Sequence, residues 1–384
     1  MSDGALVKME VDFSASADEL IPIARSLAEA GRVEEAIEKC VVLEAQTRIA
    51  CDAITTSRLL ETIIVILAEA KRWKKLNEYL LSMTKKRGQL KQAVTKMTQK
   101  AIEYLEQTPD KSSKLELLGA LRTVTEGKIY VEVERARLTR ELARIKEEDG
   151  DIEEAASVLQ ELQIETFGSM EKKEKVEFIL EQMRLCLARK DYTRVQIISK
   201  KVSTKFFQEP GTEELKLKFY NLMIQVDSLE HSYLSISKHY WEVFNTKSVE
   251  ADEKQKLNAL KNVIAYLLLA PFDNEQNDLM HRRKSFRMLE SIPQYSSMLG
   301  KFLSKELMRW DEFLIKFKDV LTSDIVLFSD KDGPDKAQKH WDDLHSRVIE
   351  HNIRVIAEYY TQIRLKRLAE LLDLSVESLT GFRI

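Results

Sequence analysis

Apolar residues recur every three or four positions along most of the chain, with charged residues between them. In EKVEFILEQMRLCLARK, Val176, Ile179, Leu180, Met183 and Leu187 fall on one helical face, with Cys186 beside them as a core thiol. In GKIYVEVERARLTRELARIKEE, Ile129, Val133 and Ala136 share a side, and Leu138, Leu142 and Ile145 carry the stripe one turn further round. Charges fill the opposite face. This spacing predicts amphipathic helices, each burying a single stripe.

Between the helices one turn phrase returns. AEAGRVEEA sets Gly31 before Arg32 and Val33; AEAKRWKKL sets Lys71 before Arg72 and Trp73; EEDGDIEEA sets Gly150 before Asp151 and Ile152; LARKDYTRV sets Lys190 before Asp191 and Tyr192. The steps from 31 to 71 and from 150 to 190 are each 40, and 71 to 150 is 79. The missing beat falls near Lys111, in QTPDKSSKL, and further beats fall near Glu230 and Pro271. In each phrase a helix ends, the chain turns, and an apolar residue opens the next helix. Val33, Trp73, Ile152 and Tyr192 are expected to plug the gap between antiparallel helices, with Ala36, Leu76 and Ala155 on the same face three residues later. A helix pair of this size cannot bury its stripe alone, so pairs stack. The expected fold is all-α: a disordered segment 1–18, then a right-handed solenoid of antiparallel helix pairs over 19–230, of the tetratricopeptide or HEAT kind without fitting either consensus.

The rhythm changes beyond about residue 290. TSDIVLFSDKDGPDKA (322–337) holds Gly333 and Pro334 among small and acidic residues and reads as a loop. A long helix is expected from about Lys339 to Tyr360, with Leu344, Val348, Ile353, Ile356 and Tyr360 on its apolar side. Ile363 then falls in a short extended segment, Leu365 to Leu372 form a helix with Leu368, Ala369 and Leu372 inward, and Leu374 and Ser375 turn into a third helix capped by Ser375. That order is the front half of a winged helix. The second domain is thus 231–384, helical to about 338 and a truncated winged helix over 339–384.

Composition agrees. Only 11 Gly and 6 Pro occur in 384 residues, too few for the turns of a sheet protein. The 60 basic and 63 acidic residues are interleaved, which gives no general drive toward nucleic acid or anionic membrane. Cys40, Cys51 and Cys186 lack metal spacing and read as reduced thiols. The opening Met1 to Asp18 lacks the order of a signal peptide, and no apolar run reaches membrane-spanning length.

Reactive constellations are missing. His340 and His345 are five apart, and His231 and His239 eight apart, without a carboxylate in ligand spacing. No phosphate-binding glycine motif occurs; GSMEKKEK reads as a helix start capped by Ser169. No catalytic, cofactor-binding or metal residue is expected. Basic clusters at Lys85, Lys86, Arg87, Lys91, Lys96 and Lys100, at Arg282, Arg283 and Lys284, and at Arg364, Lys366 and Arg367 read as solvated or protein-docking faces. The expected working surface is protein-binding: Tyr359, Tyr360, Ile363 and Leu365 at the edge of the winged helix, where an exposed strand would pair with a neighbour's.

A solenoid ending in a winged helix resembles the PCI-domain scaffolds of the proteasome lid, the COP9 signalosome and translation initiation factors. The strings TEGKIYVEVERARLT (125–139), GSMEKKEKVEFILEQMRLCLA (168–188), TKFFQE (204–209), LAPFDNEQNDL (269–279) and RVIEHNIRVIAEYYTQIRLKRLAELLDLSVES (347–378) are similar to the lid branch of that family. The resemblance implies a non-enzymatic subunit of the 19S regulatory particle, cytoplasmic and nuclear. Its partners would be other lid PCI subunits and the metalloprotease-type deubiquitinase, with the solenoid reaching toward the base and core particle. The chain departs from the pattern at SLTGFRI, where a full third helix, wing strands and a terminal helix are expected, and at Arg364, where a Ser or Thr cap is usual. Lid incorporation through that terminal helix is expected to be impaired. Two other readings stand beside this one: a signalosome subunit and a winged-helix nucleic-acid binder.

Overall fold

The computed structural model describes residues 11–329 and 334–375, and among these every regular element is helical. The helices are α1 (Ser14–Glu29), α2 (Val33–Ile49), α3 (Ala53–Glu69), α4 (Trp73–Lys85), α5 (Lys91–Glu103), α6 (Lys111–Thr125), α7 (Glu132–Glu148), α8 (Ile152–Gln160), α9 (Lys172–Ala188), α10 (Tyr192–Ser199), α11 (Glu213–Leu229), α12 (Tyr233–Phe244), α13 (Lys247–Glu250), α14 (Glu253–Leu269), α15 (Asn274–Lys284), α16 (Pro293–Leu303), α17 (Trp310–Asp324), α18 (Pro334–Tyr359) and α19 (Leu365–Leu372). Packing divides the chain into two compact units, Met1–Phe178 and Ile179–Ile384, whereas the turn phrase runs on past that division to His231.

The repeated phrase is a left-handed helix stop. Gly31, Lys71, Gly150, Lys190 and His231 have φ of 82°, 54°, 83°, 64° and 54°. The next residue's N–H then reaches back to close the helix end: Arg32 to Leu27 O, Arg72 to Leu67 O, Asp151 to Lys146 O, Asp191 to Cys186 O and Ser232 to Asp227 O, all at 2.9–3.0 Å. Cys51, at φ 59°, makes the same turn with Asp52 N–H on Thr47 O. Stops therefore fall at 31, 51 and 71, because α2 and α3 are each 17 residues long and each turn adds three. The beat near Lys111 is built differently: Asp110 accepts from Ser113 N–H at 3.0 Å and caps α6, with no left-handed residue.

In the first unit alternate helices stack, α1 on α3, α3 on α5 and α5 on α7, while α4 packs on α6. Ile37, Leu60, Ile64, Leu76, Met97, Leu121 and Leu138 belong to one continuous core across these pairs. The repeat length also appears in the ion pairs. Arg58–Asp18, Lys75–Glu34, Lys86–Glu44, Lys111–Asp149 and Arg122–Glu161 join positions 40, 41, 42, 38 and 39 apart. Each therefore links equivalent places in neighbouring pairs. Exposed pairs of this kind contribute little singly, about 0.5 kcal/mol. Glu44 differs because it is fully buried, and Arg48, Lys86 and Gln89 surround it at 3.2, 2.8 and 3.2 Å.

Several local expectations need correction. The segment 1–18 was expected to be disordered, but α1 begins at Ser14: Phe13 N–H donates to Asp52, and Ala17 is fully buried. Of the four plugs Val33 is buried, whereas Trp73, Ile152 and Tyr192 are half-buried; the deep contact is three residues later, at Ala36, Leu76, Ala155 and Val195. Ile129 does not join the stripe of α7. It lies in a 3₁₀ turn ahead of that helix and is 82% exposed. Ser169 is not the cap of α9, which starts at Lys172; its hydroxyl bonds Glu132 at 3.0 Å instead. The expected loop 322–337 contains the end of α17, a 3₁₀ turn at Val326–Phe328 and, from Pro334, the first turn of α18, a position that suits proline's fixed φ and missing N–H. The third helix expected from Ser375 to Thr380 falls beyond the described residues after its first position.

The second unit has a hub. Along α14 the run from Val263 to Ala270 is buried without interruption, enclosed by α12, α15, α16, α17 and α18. A helix apolar on all sides must be central. Asn352 of α18 clamps the segment before α17, taking Met308 N–H at 2.8 Å and donating to Met308 O at 2.7 Å.

Candidate protein-docking site

Helix α18 ends at Tyr359, five irregular residues follow, and α19 begins at Leu365 with the last of the five, Arg364, as an N-cap lacking a side-chain bond. One strong stripe on α19 buries Leu368, Ala369 and Leu372 against Ile349 and Ile356 of α18. Asp373, at φ 60°, stops α19, and Leu374 N–H closes back on Ala369 O at 3.0 Å. The four expected docking residues meet at this junction but differ in role. Tyr359, Leu365 and Tyr360 are 70%, 59% and 43% exposed, whereas Ile363 packs on the small core. No strand forms among residues 361–364, so the expected strand pairing is replaced by an irregular apolar corner. Exposed ion pairs flank the corner: Lys305 meets Glu358 at 2.9 Å, and within α19 Arg367 meets Glu370 at 3.0 Å.

The reactive side chains serve packing. His345 stacks on Trp310 with ring centres 4.6 Å apart, and burial lowers its basicity. His239 reaches Asp227 at 2.9 Å, and His351 bonds Glu306 O at 3.0 Å. Cys40 is fully buried, which pushes its thiol up to about 11 and keeps it protonated at neutral pH. Among the described residues no three His, Cys, Asp or Glu side chains are placed to hold a metal, and no helix is long and apolar enough to cross a membrane. Two basic clusters are partly committed internally. Lys86 is bound to Glu44, Arg282 to Asp278, Lys284 to Ser296 O, and the Arg283 guanidinium lies 3.4 Å from the centre of the Trp241 ring.

A polar knot in the second unit went unseen in the sequence. Tyr233 donates to Asp343 at 2.6 Å and meets His340 Nδ1 at 3.0 Å, joining α12 to α18 across 110 and 107 positions. Burial, then the Asp343 carboxylate, holds the Tyr233 hydroxyl protonated well past the usual phenol range. Tyr233 and the histidines were visible, but a pairing at that separation has no local signal.

The PCI domain family matches residues 316–382, a span that contains the α18–α19 junction. The family described as PSMD12/CSN4, N-terminal, matches residues 35–252, more than half of the chain. The chain is 42% identical over 375 residues to the 26S proteasome non-ATPase regulatory subunit 12 of Dictyostelium discoideum, covering 98% of this chain and 82% of that protein. It is 40% identical to the 26S proteasome regulatory subunit RPN5 of Saccharomyces cerevisiae, covering 98% and 84%. It is also 40% identical to the subunit 12 homolog A of Arabidopsis thaliana, covering 91% and 84%. With the helical-pair architecture and the PCI match, this similarity shows that the chain belongs to the family of 26S proteasome non-ATPase regulatory subunit 12.

Proposed function

We propose that the chain is a non-catalytic scaffold subunit of the lid of the proteasome regulatory particle, supporting ATP-dependent degradation of ubiquitinated proteins by docking other subunits. The observation that carries this reading is the extent of the similarity, which runs over 98% of the chain at 40–42% identity to proteasome regulatory subunits. Its partners are other PCI subunits and the metalloprotease-type deubiquitinase of the lid, with base and core particle as further neighbours, in cytoplasm and nucleus. The exposed Tyr359, Tyr360 and Leu365 suit such docking, since aromatic and apolar anchors carry most interface energy.

The test is affinity purification of the tagged chain with quantitative mass spectrometry of what accompanies it, beside a variant with Tyr359→Asp and Leu365→Asp. Lid subunits are expected in fixed stoichiometry with the parent chain and depleted with the variant. Recovery of the chain free of proteasome subunits would sink the proposal. The PSMD12/CSN4 description spans both complexes and so supports a second reading, a COP9 signalosome subunit; the same experiment separates them by which partners appear.

A further inference from the structure

A groove of about 900 Å³ crosses the second unit between the start of α10, the C-terminal half of α11, α12, α14 and the start of α18. Its apolar part includes Ile224 and Leu327 with Tyr240 and Tyr266, whose rings stack at 5.5 Å and 20°. The Tyr240 hydroxyl is half-buried and has no hydrogen-bond partner among the described residues, so a donor stands unused at the wall.

The lining is unbalanced in charge. Among the described residues its one acidic lining side chain, Asp324, is already matched by Lys261 at 2.9 Å and by the Tyr295 hydroxyl at 3.3 Å. Lys190, exposed on its left-handed turn, has no carboxylate partner among the described residues. Lys339 meets no carboxylate among the described residues: its ammonium, which can only donate, lies 2.7 Å from His231 Nε2. Both lysines therefore keep their charge available. Asn258 and Asn262, one helical turn apart on α14, are joined by Asn262 Nδ2 donating to Asn258 O at 2.9 Å, which leaves Asn258 Nδ2 and Asn262 Oδ1 to meet a peptide backbone.

We propose that this groove docks an acidic peptide segment of a partner protein, an apolar or aromatic side chain resting on the Tyr240–Tyr266 floor and carboxylates meeting Lys190 and Lys339. Two cations suit a pair of carboxylates better than the phosphate train of a nucleic acid, and the tyrosine faces are spent largely on each other instead of offered to bases. The inference does not depend on the lid assignment, since binding is measured on the isolated chain.

The experiment is fluorescence anisotropy of the fluorescein-labelled peptide EDLFDEL against the full chain, with KKLFKKL and a ten-nucleotide oligouridine as the other probes. Saturable binding of EDLFDEL alone is expected. It should weaken about fivefold for Lys190→Gln and again for Lys339→Gln, the scale of one charge-assisted contact. Lys91→Gln, in the first unit, should change nothing, and unaltered melting temperatures show that the variants fold. Binding indifferent to both lysines, equal binding of the basic peptide, preference for oligouridine, or no saturation would each overturn the proposal.

Discussion

The left-handed stops allow a reciprocal test at positions one repeat apart. A Cβ added at Gly31 or Gly150 meets nothing within 4 Å, so Gly31→Ala and Gly150→Ala change backbone strain alone. Holding an L-residue there costs about 1–2 kcal/mol, offset by about 0.7 kcal/mol from a stiffer unfolded chain, which leaves a loss of about 1 kcal/mol. At Lys71 the substitution runs backwards. The side chain is exposed and has no partner among the described residues, so Lys71→Gly releases the same strain and should gain about 0.5 kcal/mol after glycine's entropy is counted. At His231 the gain disappears, because His231→Gly also forfeits the contacts to Lys339 and Tyr233. Global unfolding of a two-unit chain is a poor readout, so the assay is hydrogen exchange at the closing amides of Arg32, Asp151 and Arg72. Exchange should quicken about fivefold at Arg32 and Asp151 in the alanine variants and slow about twofold at Arg72 in Lys71→Gly. Unchanged protection in the alanine variants, or faster exchange in Lys71→Gly, would show that backbone handedness does not close these hairpins.

Other substitutions probe other contacts. Asn352→Ala leaves both Met308 backbone groups buried without partners and should cost about 3 kcal/mol, read as a lowered melting temperature of the second unit. Arg283→Met keeps the packing on Trp241 but removes the charge, and should cost about 1 kcal/mol, read as faster hydrogen exchange in α12 and α15. Glu141 is held at about 2, first by its bond to Arg144 and then by Lys114, against an ordinary value of 4.5. Its depressed value makes its stabilisation complete above about 4.5 and lost as pH falls toward 2. Glu141→Gln should therefore lower stability by about 1 kcal/mol at pH 7, discounted for solvent, with the gap to the parent chain narrowing below pH 4.5.

What could be read beforehand was local. Gly31, Lys71, Gly150 and Lys190 announced the hairpins because a turn residue followed by a polar and then an apolar residue is a short-range pattern, and the stripe from Val176 to Met183 is buried as its spacing implies. Cys51 makes the same turn without a sequence signal, since cysteine has no turn preference and its context lacks the phrase. Pro334 reads as loop punctuation in the sequence although it opens a helix, because proline serves both purposes. At the docking corner the sequence does not separate Ile363, which packs on the small core, from the exposed Tyr359, Tyr360 and Leu365, because exposure there depends on how α19 folds back on Ile349 and Ile356. The Lys190–Lys339 groove is illegible for a similar reason: its two lysines lie 149 positions apart in the sequence.

The clasp between Tyr233 and Asp343 sets an order in time as the chain leaves the ribosome. Residues in the first helical pairs find their neighbours about forty positions later, whereas Tyr233 must wait for 110 further residues before its acceptor exists. Until then α12 and α14 emerge with an oily flank unclaimed by α18, a window in which a chaperone has something to hold. Protease digestion of stalled nascent chains should reveal early protection of the N-terminal pairs and late protection of α12; simultaneous protection of both would contradict this order.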